Sequence, residues 1–150
     1  MSATGNGVLQ KAVVRRLRAC GDFLALCPTG VLDSVPQDAT YPMVVVDAPF
    51  EIPNRTLGQG GHDCLVTLNI YTQDGSVSKT GRGASGYKQG QDIAEIVVRE
   101  LTNLDEPLEV EGHDVEDVDL VSVTGEELDE SRRRTEIILE ALLEDSDEAN

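Results

Sequence analysis

The sequence is poor in the side chains from which metal sites are built. It has two histidines, His62 and His113, and three cysteines, Cys20, Cys27 and Cys64, in no repeated spacing. A structural zinc site needs about four Cys or His ligands at characteristic intervals. We therefore predict no metal site, although His62 and Cys64 form a His-x-Cys pair. The odd, unpatterned cysteine set is typical of a reducing compartment, and we expect these thiols to pack as small apolar side chains.

Motifs for catalysis and for cofactor binding are also missing. No nucleophile, base and oxyanion stabiliser can be grouped from the sequence, so an enzyme is the least favoured hypothesis. The glycines of residues 80–86 precede a predicted helix, as in a phosphate cradle, but the Gly-Lys-Ser/Thr ending of a P-loop is absent. Glu116, Asp117 and Asp119 lack the spacing of a calcium loop. We predict no catalytic residues and no cofactor, and we interpret these segments as a surface loop and a solvated strand face.

The chain has neither an apolar leader nor a membrane-spanning run. Its first apolar segment, residues 8–26, is interrupted by Lys11, Arg15, Arg16, Arg18 and Asp22, whereas a membrane helix needs about 20 predominantly apolar residues. We expect a soluble, intracellular protein without a membrane partner. The length of 150 residues suits one domain. We assign residues 1–143 to it and residues 144–150 to an acidic, disordered tail.

Basic residues are scarce in the last third of the chain. Residues 105–150 contain three basic and eighteen acidic side chains and so carry −15 of the net charge of −16. Such a surface repels the phosphates of nucleic acids, because gripping them requires Lys and Arg. Three interpretations stay open: a solvated acidic face with a disordered tail, an acidic wall along which DNA slides, and adaptation to high salt.

Hydrophobic periodicity predicts two helices and four strands. Apolar residues at three- and four-residue steps predict helices at residues 8–26 and 85–104. The apolar stripes are Leu9, Ala12, Val13, Leu17, Cys20 and Leu24 in the first, and Tyr87, Ile93, Ala94, Ile96, Val97, Leu101 and Leu104 in the second. Strand-like runs occupy residues 43–47 and 64–71, a valine-rich acidic run that Gly125 ends, and residues 135–143. The predicted fold is α+β: an antiparallel four-stranded sheet with two helices packed on one face, in the order α-β-β-α-β-β, with the other face left for a partner.

The connection between the first two strands indicates assembly with another subunit. Residues 49–63 form this connection, whereas hairpin loops usually have about two to five residues. Its apolar side chains, Phe50, Ile52 and Leu57, have little use in a merely solvated loop. We predict that the loop reaches a neighbouring chain. Its candidate contact residues are Phe50, Ile52, Pro53, Asn54, Arg55 and Leu57.

Two basic groups in this acidic protein are further candidate contacts. Arg82 and Lys88 belong to a Gly-rich connection at residues 74–90 and are candidates to pair with acids of a neighbouring subunit. Arg132, Arg133 and Arg134 precede the last predicted strand. The acids just upstream of them are Glu126, Glu127, Asp129 and Glu130. We favour neutralisation within the chain, and the alternative is a contact with another protein.

The order of the elements and several local sequences follow one pattern. A helix and a Pro/Asp linker lead to Tyr-Pro-Met-Val-Val-Val at residues 41–46, then to Leu-Gly-Gln-Gly-Gly at residues 57–61. The strand Leu-Val-Thr-Leu-Asn-Ile-Tyr-Thr at residues 65–72 and a Gly/Lys-rich connection precede the helix around residues 91–96. The three arginines then open the last strand. In these features, over most of residues 8–143, the sequence resembles the tail terminator (tail completion) proteins of long-tailed bacteriophages and gene-transfer particles.

The resemblance implies a structural virion protein without an active site. Proteins of this family form a hexameric ring on the head-proximal end of the tail tube, stop its polymerisation and face the neck of the head, while DNA passes through the lumen. The implied partners are further copies of the chain, the tail tube protein, which Arg132–Arg134 would be candidates to contact, and a neck or head-completion protein. One alternative is a head-closure or other neck ring protein. The alternative from another class is an acidic inhibitor or nucleic-acid mimic.

Overall fold

Three helices and six strands are present in the computed structural model, which describes residues 6–32, 34–38, 40–52, 61–74 and 86–146. The helices are α1 (Asn6–Arg18), α2 (Gly21–Leu26) and α3 (Gly86–Leu101). The strands are β1 (Val31–Leu32), β2 (Met43–Val46), β3 (Phe50–Glu51), β4 (Gly61–Gln73), β5 (His113–Glu127) and β6 (Arg132–Asp145). The predicted α+β class is confirmed.

The six strands form one mixed sheet rather than the predicted four-stranded antiparallel one. The strand order is β1-β2-β4-β6-β5, and β3 also pairs with β4. β1 runs parallel to β2, and the other pairs are antiparallel. The prediction is wrong because β1 and β3 have two residues each, and so short a run shows no alternation. The sequence pattern therefore predicts irregular connections at residues 30–40 and 49–63, where the structure has β1 and β3.

The first predicted helix is divided in two. α1 ends at Arg18, Cys20 has an extended backbone (φ −92, ψ 108), and α2 begins at Gly21. The apolar period continues across this break, so the pattern does not mark it. The second predicted helix corresponds to α3, which ends at Leu101 instead of residue 104. None of the helices in the described part of the chain has the length and apolar character that crossing a membrane requires.

The hydrophobic core lies between the helices and one face of the sheet. The strands fill it from alternate positions, with Cys64, Val66, Leu68 and Ile70 of β4 and Ile137, Leu139, Ala141 and Leu143 of β6. The helices contribute Leu9, Ala12, Val13, Leu17, Phe23, Ile93, Ala94, Val97 and Leu101. Because all three helices share this cluster with one set of alternate strand residues, they cover the same face of the sheet.

Two residues of the predicted stripe of α3 are exposed. Leu104 lies beyond the end of the helix and is 46% exposed, so the helical period no longer applies to it. Tyr87 lies in the first turn of α3 and is 59% exposed. There it borders an open groove with Val123 of β5 instead of packing into the core.

Two contacts fix α3 against the rest of the domain. A Cβ at Gly90 would lie 2.6 Å from the Thr135 Oγ1 atom, so this glycine allows the helix to approach β6 closely. Arg16 of α1 donates to the Glu100 carbonyl oxygen at 3.0 Å. That carbonyl belongs to the last turn of α3, where the backbone oxygens have no partner within the helix. Arg16 thereby joins α1 to the end of α3.

The long strands extend beyond their predicted ends. β4 begins at Gly61, so His62 and Asp63 belong to it and not to the preceding connection. β5 continues through Gly125 to Glu127, where a break was predicted. β6 continues to Asp145, past the predicted domain end at residue 143. Residues 147–150 of the predicted tail lie outside the described residues.

The face of the sheet opposite the helices is half-buried at several positions of β4 and β6, whereas Met43 and Val45 of β2 and Asn69 of β4 are buried on it. Leu65, Thr67 and Tyr71 of β4 lie on it beside Ile138 and Leu142 of β6. Acids alternate with these apolar residues along β6, at Glu136 and Glu140. No described helix covers this face, which is the side that was predicted to receive a partner.

Leu68→Ala should lower the free energy of unfolding by about 2 to 5 kcal/mol, because the side chain is fully buried and a cavity would remain. Leu65→Ala is the matched control, since it makes the same change on the same strand but on the half-buried face. We expect the control to cost less than half as much. Urea denaturation measures both, and equal losses would contradict this assignment of the two faces.

Candidate assembly surface

β5 and β6 form a long hairpin at one edge of the sheet. β5 has 15 residues and is the last strand of the sheet, paired with β6 on one side. β1, at the opposite edge, has two residues. An edge strand presents a row of backbone N–H and C=O groups with which another chain can pair. Among the described residues, β5 is therefore the longest strand with an open edge.

Exposed apolar side chains are concentrated on this hairpin. Eight large apolar side chains are exposed among the described residues. Four of them, Leu120, Val121, Val123 and Leu128, lie on β5 or in the turn after it, and we name these four the hairpin patch. Soluble monomers rarely group exposed apolar residues in this way unless they mark an interaction site.

The backbone of β5 explains why the hairpin patch is exposed. Leu120 and Val123 lie opposite the core residues Leu139 and Ile137, yet they are 45% and 39% exposed. Of the residues of β5, Val118 alone belongs to the buried core cluster. Val121 is 54% exposed and lies at a register shift between Leu120 and Ser122. A bulge of this kind leaves one residue outside the regular pairing and increases the strand twist.

A groove of about 440 Å³ separates the start of α3 from the hairpin. Tyr87 of α3 lines it together with Val123, Arg133 and Arg134 of the hairpin. Tyrosine and arginine are enriched at the energetic centres of protein–protein contacts. The groove therefore extends the hairpin patch towards α3.

Each of the three consecutive arginines pairs with an acid of the same chain. The pairs are Arg132 with Asp129, Arg133 with Glu127 (3.1 Å) and Arg134 with Glu126 (3.1 Å). The arginine charges are thus neutralised by acids of the same chain, as the sequence predicted. The three arginine side chains are still 47%, 27% and 31% exposed. Their contact with another protein stays a prediction.

Asp129 holds the turn of the hairpin. Its Oδ1 atom accepts the N–H groups of Ser131 at 3.0 Å and Arg132 at 2.9 Å. Its Oδ2 atom accepts the Arg132 Nε–H at 2.6 Å. The hydrogen bond from the Arg132 side chain, followed by the two backbone bonds, lowers the pKa of Asp129 to about 2.

The predicted contact loop is described only at its start. Phe50 lies on β3 and is 53% exposed. Ile52 is half-buried and donates its N–H to the Asp63 carbonyl oxygen at 2.7 Å. Both residues are thus tied to β4 instead of lying in a free loop. Pro53, Asn54, Arg55 and Leu57 lie outside the described residues.

The first residue of α3 does not favour the phosphate-cradle hypothesis. Gly86 donates its N–H to Asp74 Oδ1 at 2.7 Å, and a Cβ at this position would lie 2.9 Å from the same oxygen. A carboxylate of the chain thus occupies the helix start where a phosphate would bind. Lys88 donates to Asp92 at 3.2 Å within α3. Arg82 lies outside the described residues.

The two histidines, which are far apart in the sequence, lie together in the structure. Their ring centroids are 5.3 Å apart, and Asp145 Oδ1 lies 2.8 Å from His62 Nε2 and 3.3 Å from His113 Nε2. Burial lowers the pKa of His62, but hydrogen bonds to Asp145 and Glu51 outweigh it and raise the pKa overall. Ligand spacings in the sequence do not reveal this cluster, because the pairing of β4 and β5 with β6 creates it.

The cysteines pack as predicted in two of three cases. Cys27 and Cys64 are fully buried, and burial raises the pKa of each thiol to about 11. Cys64 is therefore a core residue and not a partner of His62 in a ligand pair. Cys20, at the break between α1 and α2, is half-buried.

Comparison with known proteins gives a family match and a structural similarity. Residues 11–140 match the family described as Tail completion protein gp17. The fold is similar to that of a chain in the structure described as "Virion of native gene transfer agent (GTA) particle", with a TM-score of 0.74 and 21% sequence identity. The match covers 95% of this chain and 99% of that chain. A search of curated proteins found no significant match.

Asp129→Asn should flatten the dependence of thermal stability on pH between about 4 and 2. The carboxylate has a lowered pKa in the folded chain, so its contribution is complete above the unfolded value of about 3.9 and disappears as the pH falls through about 2. Melting curves from pH 2 to 6 measure the effect. Glu130→Gln is the control, because it removes the same charge one residue away. An equal flattening of the pH dependence in this variant would show that the effect comes from net charge and not from the contacts of Asp129.

Proposed function

The chain belongs to the Tail completion protein gp17 family, and from that premise we propose that it forms a hexameric ring on the head-proximal end of a tail tube. Membership of this family makes it a structural protein of the virion tail. In the proposal, the ring stops the polymerisation of the tube protein and joins the tail to the neck of the head. The partners are copies of the chain, the tube protein and a neck protein, and no catalytic step is involved.

The observation that supports the ring most strongly is the open edge at β5 with its hairpin patch. A cyclic ring uses a heterologous contact, in which one surface of a subunit meets a different surface of the next. The hairpin patch lies at one edge of the sheet, and the exposed Phe50 of β3 lies on the other side of β4 from β6. These two surfaces can meet between neighbours, and closure of the ring then leaves no β5 edge unpaired.

The distribution of acids on β5 supports passage of DNA through the ring. Asp117 and Asp119 lie opposite Leu142 and Glu140, on the face of the sheet without helices. Leu120 and Val123 point to the other face. The strand can therefore contact a neighbouring subunit with one face while it directs acids towards the lumen. Carboxylates do not release counterions from DNA, so DNA would pass without being held.

Val121→Glu should abolish the arrest of tube growth without unfolding the chain. Val121 is 54% exposed, and exposed substitutions usually change the free energy of unfolding by less than about 0.5 kcal/mol. Val35→Glu is the control, because Val35 is 52% exposed but lies outside the hairpin patch. Tube protein from the same particle is polymerised with each variant, and tube lengths are measured by negative-stain electron microscopy.

We expect short, capped tubes with the unchanged chain and with Val35→Glu, and long tubes with Val121→Glu. Equal arrest by both variants would contradict the role of the hairpin patch. Tubes that remain uncapped by the unchanged chain, together with binding to a neck protein, would favour the neck-ring alternative. Binding of neither, with capture of a basic DNA-processing protein, would favour the acidic inhibitor.

A further inference from the structure

The end of the sheet where β4, β5 and β6 meet contains a group of potential metal ligands. His62 lies near the start of β4, His113 is the first residue of β5 and Asp145 is the last residue of β6. One ligand atom from each of these three side chains lies within 4.8 Å of the others. His62 and His113 are the only histidines of the chain. They are 51 positions apart in the sequence, and strand pairing brings them together.

The two imidazole rings are oriented as metal ligands are. His62 Nδ1 lies 3.2 Å from Glu51 Oε1, and His113 Nδ1 lies 3.0 Å from the carbonyl oxygen of Glu111. These acceptors hold a proton on Nδ1 of each ring, so binding of a metal ion releases the proton that Nε2 shares with Asp145 and makes the Nε2 lone pairs available to the ion. A carboxylate or backbone carbonyl on the remote nitrogen is the usual support of a metal-binding histidine.

We propose that His62, His113 and Asp145 bind one divalent transition metal ion of the zinc type. Bonds of about 2.0 to 2.2 Å at tetrahedral angles place neighbouring ligand atoms roughly 3.3 to 3.6 Å apart. The present separations of 2.8 and 3.3 Å from Asp145 Oδ1 to the two Nε2 atoms are close to this range. Small side-chain rotations make room for the ion, and water completes the coordination. Imidazole ligands favour zinc over magnesium or calcium, which prefer oxygen.

The surroundings suit an ion that enters from solvent and then stays. The side chains of His62 and His113 are 11% and 10% exposed, whereas that of Asp145 is 55% exposed. The carboxylate is thus free to turn towards an incoming cation while packing holds the two rings. Glu51, beside His62, adds a second negative charge.

The bound ion would join the ends of three strands and, through Glu51, a fourth. β3 ends at Glu51 and β4 begins at Gly61, so the site lies at both attachment points of residues 53–60. A metal there would fix the base of the segment for which the sequence predicted a contact with another subunit. Binding of the ion requires only the isolated chain and not the proposed ring.

Zinc binding is tested by isothermal titration of the chelator-treated full chain with Zn²⁺. We expect about one ion per chain, and excess Mg²⁺ should not compete. His113→Gln and Asp145→Asn should each weaken binding at least about tenfold. Asp119→Asn is the control for charge, because it also removes one acid. Asp119 lies on β5 opposite Glu140, five residues along β6 from Asp145 and therefore away from the site.

Thermal melting gives a second, independent readout. At free Zn²⁺ about a hundredfold above Kd, the melting temperature of the unchanged chain and of Asp119→Asn should rise by roughly 5 to 10 °C. His113→Gln should show no such rise, while its circular dichroism confirms that it folds.

Two results would overturn the proposal. One is the absence of stoichiometric binding to the unchanged chain, which would leave a cluster held by hydrogen bonds alone. The other is an equal loss of binding in Asp119→Asn, which would indicate diffuse attraction of cations to an acidic surface.

Discussion

The antiparallel pairing of β4 with β6 is the constraint on which the rest of the structure depends. The two strands are in register over 13 consecutive pairs, from Gly61–Glu144 to Gln73–Arg132. Because side chains alternate along a strand, this one register assigns every residue of both strands to the helix-covered face or to the open face. It also determines both ends of the sheet, with the histidine–aspartate cluster at one end and the three arginines at the other.

The parts of the fold that sequence predicted well are those with a long, repeated pattern. The stripe of Leu9, Val13 and Leu17 and the alternation from Val66 to Ile70 reflect burial on one side, which periodicity detects directly. β1 and β3 were missed because two residues carry no period. The break at Cys20 was missed because the apolar residues continue through it. For β1 and β3, pairing with β2 and β4 determines the local structure.

Neither of the two candidate sites can be predicted in full from the sequence. The sequence indicates Phe50 and the three arginines as candidate contacts. It does not indicate the hairpin patch, since Leu120 and Val123 have the pattern of ordinary strand residues. Their exposure follows from the position of β5 at the sheet edge, which the sequence does not state. The cluster of His62 and His113 similarly follows from register alone. Both sites arise from the pairing of strands that are distant in the sequence, so no local sequence motif predicts them.

The central claim, that the chain closes into a ring on the tail tube, is tested most directly by cryo-electron microscopy of tubes assembled with the chain. The account predicts a sixfold ring at one end of each tube only, with β5 at the contact between neighbouring subunits. It also predicts that the acids of β5 face the lumen. A chain distributed along the tube wall, or absent from both ends, would contradict the claim.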